Sequence, residues 1–124
     1  MDAVLDALER ISDDVESLDP DDRTMFVLAV CEIATNIAKH ARPRPGSVVS
    51  VEALLHIDAH ALAATFVDNA KPADIALDAV ALPEEGKESG RGLAIVRAAT
   101  DELSHEPADG NIWRLRRLRG RGRG

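Results

Sequence analysis

The sequence predicts an α/β fold of the two-layer α+β sandwich kind: a mixed, largely antiparallel sheet with helices on one face. Three observations predict it. Apolar residues recur at gaps of three and four in residues 2 to 18, the period of an amphipathic helix. They alternate in VVSVEALLHI, the period of a half-buried strand. Strand candidates come in pairs joined by tight turns, the way antiparallel neighbours connect.

The elements follow in order. Val4, Leu5, Leu8, Ile11, Val15 and Leu18 mark a first helix. Leu18-Asp19-Pro20-Asp21-Asp22 breaks it and starts another: Asp19 caps, Pro20 suits the first helical position, and acids occupy the first turn. That helix should run from about 20 to 41 and end before Pro43 and Pro45, because proline cannot continue it. The strand that follows puts Val49, Val51, Ala53 and Leu55 on one side. Asp58-Ala59-His60 is a turn, and ALAATFVDNA is a second strand ending near Asp68. Residues 70 to 88, with Pro72, Pro83, Gly86 and a run of charges, are expected as a mobile connection. SGRGLAIVRAATDEL begins with glycines and becomes helical. Glu102 to Glu106 is a short strand, Pro107-Ala108-Asp109-Gly110 a turn, and Asn111 to Leu118 a last strand with Trp113 and Leu115 inward.

A chain of 124 residues with 45% apolar and 30% charged residues fits one globular domain. We place that domain at 1–118, with 119–124 an Arg/Gly-rich disordered tail. Aromatics are limited to Phe26, Phe66 and Trp113, so the core rests on Ala, Val, Leu and Ile. The single cysteine, Cys31, lies in the most apolar run and can make no internal disulfide, which points to a reducing, cytoplasmic setting. No apolar run is long enough to span a bilayer, so no membrane is expected. Six arginines crowd the last eleven residues; with them set aside, the net −7 becomes about −13 for the remainder. An acidic body does not suit nucleic acid, and the basic end lacks aromatic stacking residues, so direct DNA binding is not expected.

Three patterns carry chemistry. In EIATNIAKHA, Glu32, Asn36 and His40 are four apart and so lie on one helical stripe. Asn36 offers a neutral oxygen suited to a hard cation such as Mg²⁺. Glu32 borders the apolar half of the helix, a setting that suits proton abstraction. In VDNAKPAD, Asp68 ends an apolar strand, well placed to accept from a ligand amine such as that of adenine. In SGRGL, the glycines let backbone N–H groups and a helix N-terminus approach a phosphate, with Arg91 adding charge. Each pattern alone is equally explained as an exposed polar stripe, a turn-capping acid, or a chance glycine pair. His56 and His60 flank a predicted turn, a poor placement for a shared metal. His105-Glu106, a His-acid pair of the phosphoacceptor kind, falls on a predicted strand after the other motifs.

The three patterns in this order resemble the GHKL ATPase superfamily, which includes sensor histidine kinases and gyrase. EIATNIAKHA looks like its N box, VDNAKPAD like its first glycine box, and SGRGLAIVRAATDEL like its second. The chain is most similar to the anti-sigma-factor serine/threonine kinases, whose N box has a Glu-Ala-x-x-Asn-x-x-x-His-Ala form and whose lid is short. The resemblance implies a GHKL, histidine-kinase-like ATPase fold that holds ATP and Mg²⁺ between helices and sheet. By position, Glu32 would be the catalytic base and Asn36 the Mg²⁺ ligand. His40, Asp68, Ala70, Ser89, Gly90, Arg91, Gly92 and Leu93 would join Asn36 around the nucleotide, with residues 75 to 88 as the lid. It further implies a sigma factor and a STAS-type anti-anti-sigma protein as partners, and a homodimer. A non-catalytic ATP-binding switch and a detached histidine-kinase-like ATPase domain are the alternatives. The chain departs from the family in Asp68-Asn69-Ala70, where the family has glycine third, and in Pro72-Ala73-Asp74, where it has a bulky apolar residue second. The added methyl of Ala70 is expected to reshape the adenine pocket.

Overall fold

A computed structural model describes residues 18–73 and 91–120. Within them the elements are α1 (Pro20–His40), β1 (Val51–Ile57), β2 (Ala61–Asp68), α2 (Arg91–Ala99), β3 (Glu102–Pro107) and β4 (Asn111–Leu118). The strands make one sheet in the order β1-β2-β4-β3, with every neighbouring pair antiparallel. The predicted first helix lies outside the described residues except for Leu18, which packs against the core. Among the described residues no helix is long and apolar enough to cross a membrane.

The ends of α1 follow from its sequence. Asp19 Oδ1 accepts from the N–H groups of Asp21 (2.9 Å) and Asp22 (3.2 Å), with Pro20 behind the cap. The helix stops at His40, and the Ala41 N–H makes the closing bond to the Ile37 carbonyl. Phe26, Ala29, Val30, Ile33 and Ile37 form its buried stripe. The chain then turns at Arg44–Ser47, where Gly46 takes φ +76°, a conformation open to glycine. At the β1–β2 turn, Asp58 Oδ1 accepts from His60 N–H (2.7 Å) and Ala61 N–H (2.9 Å). Those bonds, His60 first, hold the Asp58 carboxyl below its ordinary range. His56 pairs with Asp58 at 3.2 Å, and no three ligating side chains gather as a metal site among the described residues.

Register sorts the residues into rows across the helix-facing side of the sheet. Val51, Asp68 and Asn111 form one end row, with Pro107 beside them. Ala53, Phe66, Trp113 and His105 come next, then Leu55, Ala64, Leu115 and Leu103. Ile57, Leu62 and Arg117 close the other end. The middle rows, with Phe26, Val30 and Ile33 from α1 and Val96 from α2, make the core. All three aromatics of the chain are inside it. β1 follows the expected alternation only in part: Leu55 and Ile57 pack on the core, while Val51 stays exposed and Leu54 points to the open face, 70% exposed.

The C-terminal arginines take up different places. Arg114 pairs with Glu106 (2.9 Å) and Arg116 with Glu102 (3.6 Å) on the open face of the sheet. Arg117 is 6% exposed and donates from Nε to Asp22 Oδ1 (3.0 Å) and from a terminal nitrogen to the Ala99 carbonyl (2.9 Å). Asp22, 2% exposed, also accepts from Gly120 N–H at 2.9 Å. The backbone N–H of Arg119 bonds the His60 carbonyl at 2.8 Å. Strand pairing and a buried carboxylate thus hold the described residues at this end as far as Gly120. Residues 121–124 lie outside the described ones.

Removing one member of a buried ion pair strands the other charge, at a cost of about 3–5 kcal/mol. Arg117→Ala and Asp22→Ala should each lose stability of that order in urea denaturation. Arg116→Ala, which breaks an exposed pair, should cost less than about 1 kcal/mol.

Candidate functional site

The site lies at the sheet end marked by the Asp68–Asn111 row. A cavity of about 480 Å³ opens there, between the C-terminal half of α1, the start of α2, and the sheet. Asn36, Ile37, His40 and Ala41 form one wall, Asp68 and Trp113 the sheet side, and Lys71, Pro72 and Ala73 another wall, with Leu93 reaching in from α2. The volume is that of a small-molecule site, and the mix of an apolar floor with a few polar groups fits one.

Asp68 is buried, and Asn111 faces it across the β2–β4 pair. Asp68 Oδ1 accepts from the Ala70 N–H (3.0 Å) and from Asn111 Nδ2 (3.0 Å). Among the described residues Oδ2 has no partner, so it is the oxygen left for a ligand. Asn111 also donates to the Lys71 carbonyl (3.1 Å) and accepts from the Ala73 N–H (2.9 Å), which holds the start of the connection against the sheet. Lys71 N–H bonds the Arg42 carbonyl at 2.8 Å, tying that wall to the end of α1. Gly110 is required in the turn before β4, since a Cβ there would run into the carbonyl of Asp68.

On α1 the stripe behaves as its spacing implies. Asn36 and His40 line the cavity, while Glu32, half-buried, stands one turn earlier. The Glu32 carboxylate lies against the first turn of α2: a Cβ built on Gly92 would sit 2.6 Å from its Oε2. The carboxylate and Gly92 are thus brought together, one turn from Asn36 and next to Leu93, which line the cavity. Cys31, next in sequence, has its thiol pushed up by burial and then by Glu32, so it stays protonated at neutral pH and is no rival nucleophile.

The structure places the remaining sequence candidates as follows. Ala70 is fully buried, outside the cavity lining, and contributes its N–H to Asp68. No described non-glycine residue has positive φ, so alanine is unstrained at that position. Arg91 opens α2, and Gly92 and Leu93 follow it; Ser89, Gly90, the side chain of Arg91 and the lid at 75 to 88 lie outside the described residues. His105, far from being a free phosphoacceptor, stacks tilted on Trp113 at 4.6 Å and bonds Asn111 Oδ1 at 2.8 Å. Three participants were missed. Asn111 gave no signal beyond opening a strand after a turn. Arg42 and Lys71 line the cavity with no ion-pair partner among the described residues, and their signal was positive charge directly after the N-box helix and beside Asp68.

A family model for the histidine kinase-like ATPase domain matches residues 1–117. No curated protein matches the chain. Among solved structures, the histidine kinase domain of a blue-light activated histidine kinase from Erythrobacter litoralis is similar, at 22% identity and a TM-score of 0.56. The match covers 77% of this chain and 44% of that one, so it is a likeness of fold to less than half of the neighbour's length.

The two site glycines should respond differently to substitution. In Gly92→Ala the new methyl meets only the flexible end of Glu32, which can swing away, and alanine favours a helix by about 1 kcal/mol; stability should hold within roughly that margin. In Gly110→Ala the methyl meets the Asp68 backbone, which cannot yield, and the loss should be on the order of 2 kcal/mol or more. Thermal denaturation of both variants checks the order.

Proposed function

The chain belongs to the histidine kinase-like ATPase family, whose domains bind ATP, usually with Mg²⁺, and from that premise we propose that it is an anti-sigma-factor serine/threonine kinase. In this reading it phosphorylates a STAS-type anti-anti-sigma protein, sequesters a sigma factor, and works as a homodimer. One observation carries the nucleotide part. A buried carboxylate, Asp68, has one oxygen saturated and the other left for a donor, in a cavity shared with Asn36 and three basic side chains, His40, Arg42 and Lys71.

The residues fit the ligand. Asp68 Oδ2 would accept from the adenine amine, and Ile37, Leu93 and Trp113 give the base an apolar surround. Arg42 and Lys71 supply positive charge for an anionic ligand, and His40 adds a ring nitrogen for hydrogen bonding. Mg²⁺ of this kind takes one or two protein oxygens and completes its shell with phosphate and water, so Asn36 suffices as its side-chain ligand. The ion, when bound, neutralises charge that develops on the phosphates. Glu32, half-buried beside the start of α2, is the base for the substrate hydroxyl. As it takes that proton, the hydroxyl oxygen bonds to the terminal phosphorus, the bond to the leaving phosphate oxygen breaks, and ADP departs. The partner assignment is supported by the form of EIATNIAKHA and the short stretch between the two glycine boxes.

Asp68→Asn should weaken ATP binding about 10- to 100-fold, the worth of a hydrogen bond to a charged group, in titration calorimetry with Mg²⁺. Glu32→Ala should keep ATP binding and abolish transfer to a STAS-type substrate. Transfer that survives Glu32→Ala would indicate another base, ATP binding without any transfer a non-catalytic switch, and an acid-labile product a histidine kinase.

A further inference from the structure

Asn111 spends its whole hydrogen-bonding capacity on the protein. The Lys71 carbonyl can only accept and the Ala73 N–H can only donate, which fixes the amide's orientation. His105 Nε2 must then carry the proton it gives to Asn111 Oδ1, and its ring is held on Trp113. The remaining amide N–H goes to Asp68 Oδ1, which the Ala70 N–H already occupies. A carboxylate oxygen has two lone-pair sites, so Oδ1 is full.

We propose that Asn111 is a specificity-determining residue that narrows Asp68 to a single-oxygen reader and so selects adenine against guanine. This rests on the nucleotide-binding reading above. Adenine offers one exocyclic amine beside a ring acceptor. Guanine offers two adjacent donors, its ring N–H and its 2-amino group. A carboxylate with both oxygens open takes such a pair bidentately, as it takes a guanidinium. With Oδ1 closed by Asn111 and Ala70, both guanine donors must converge on Oδ2, a poorer pairing than one donor to each oxygen, and the discrimination comes from that misfit. Asn111 touches no reacting atom in this account; it positions the carboxylate that does the reading.

The test is titration calorimetry of the full chain with Mg²⁺ and three nucleotides: ATP, GTP and ITP, which is GTP without the 2-amino group. The unmodified chain should bind ATP best and ITP at least as tightly as GTP, since two parallel donors crowded onto one open oxygen gain little over one. Asn111→Ala frees one site on Oδ1 and should raise GTP relative to both ATP and ITP by about tenfold. His105→Gln, which keeps a donor to Asn111, should leave the ratios unchanged. GTP binding more tightly than ITP in the unmodified chain would overturn the proposal, whatever the variants do. So would a folded Asn111→Ala whose affinities for all three fall together, the mark of a structural role alone. Failure of the unmodified chain to bind ATP would instead sink the nucleotide reading beneath it.

Discussion

The register of β2 against β4 is the constraint on which the rest depends. It sets Asp68 opposite Asn111 at one end of the sheet and Leu62 opposite Arg117 at the other. A slip of β4 by one residue would send Asn111, Trp113, Leu115 and Arg117 to the open face. Asp68 would lose the amide that holds it, the core would lose the Phe66–Trp113 pair, and Asp22 would lose its guanidinium partner. Site and scaffold are therefore specified by the same backbone hydrogen bonds.

Both ends of that seam are polar and buried, a demanding arrangement in a low-dielectric interior. The chain meets the demand by pairing, with Asp68 Oδ2 the exception among these groups. Arg117 bonds Asp22 on α1 and the Ala99 carbonyl at the end of α2, so one guanidinium joins both helices to the sheet. Asn111 does the same at the other end for β2, β3 and the residues after Asp68. Among the described residues no side-chain nitrogen or oxygen that is shut off from solvent lacks a partner. Between the two polar rows the interior is aliphatic and aromatic, so each polar cluster is isolated from the other.

Much of the fold was legible because its signals are local. Asp19-Pro20 announces α1, Pro107 to Gly110 announces the turn before β4, and β4 begins and ends where the turn and the alternation place it. The site was legible where motif spacing maps onto one element, as with Glu32, Asn36 and His40. It was not legible where function depends on residues distant in sequence. Asn111 and Asp68 are 43 positions apart, and Arg117 and Asp22 are 95 apart. Arg117 reads locally as one of a run of surface arginines, and only the alternation of β4, seen with α1 in place, turns it inward. Ala70 is the converse case. The departure from glycine read as a disturbance of the adenine pocket, but the position uses its N–H, which alanine also has.

The β2–β4 seam also governs how freely the stretch between Ala73 and Arg91 can vary. The two hairpins close over loops of a few residues, whereas the seam encloses the 43-residue separation between Asp68 and Asn111. Loop-closure entropy grows only logarithmically, so even doubling such a loop costs about 0.6 kcal/mol. A few residues added or removed between the two glycine boxes change that cost by far less. The length of this stretch is thus nearly decoupled from the entropy of closing the seam, and the carboxylate row does not constrain it through that cost.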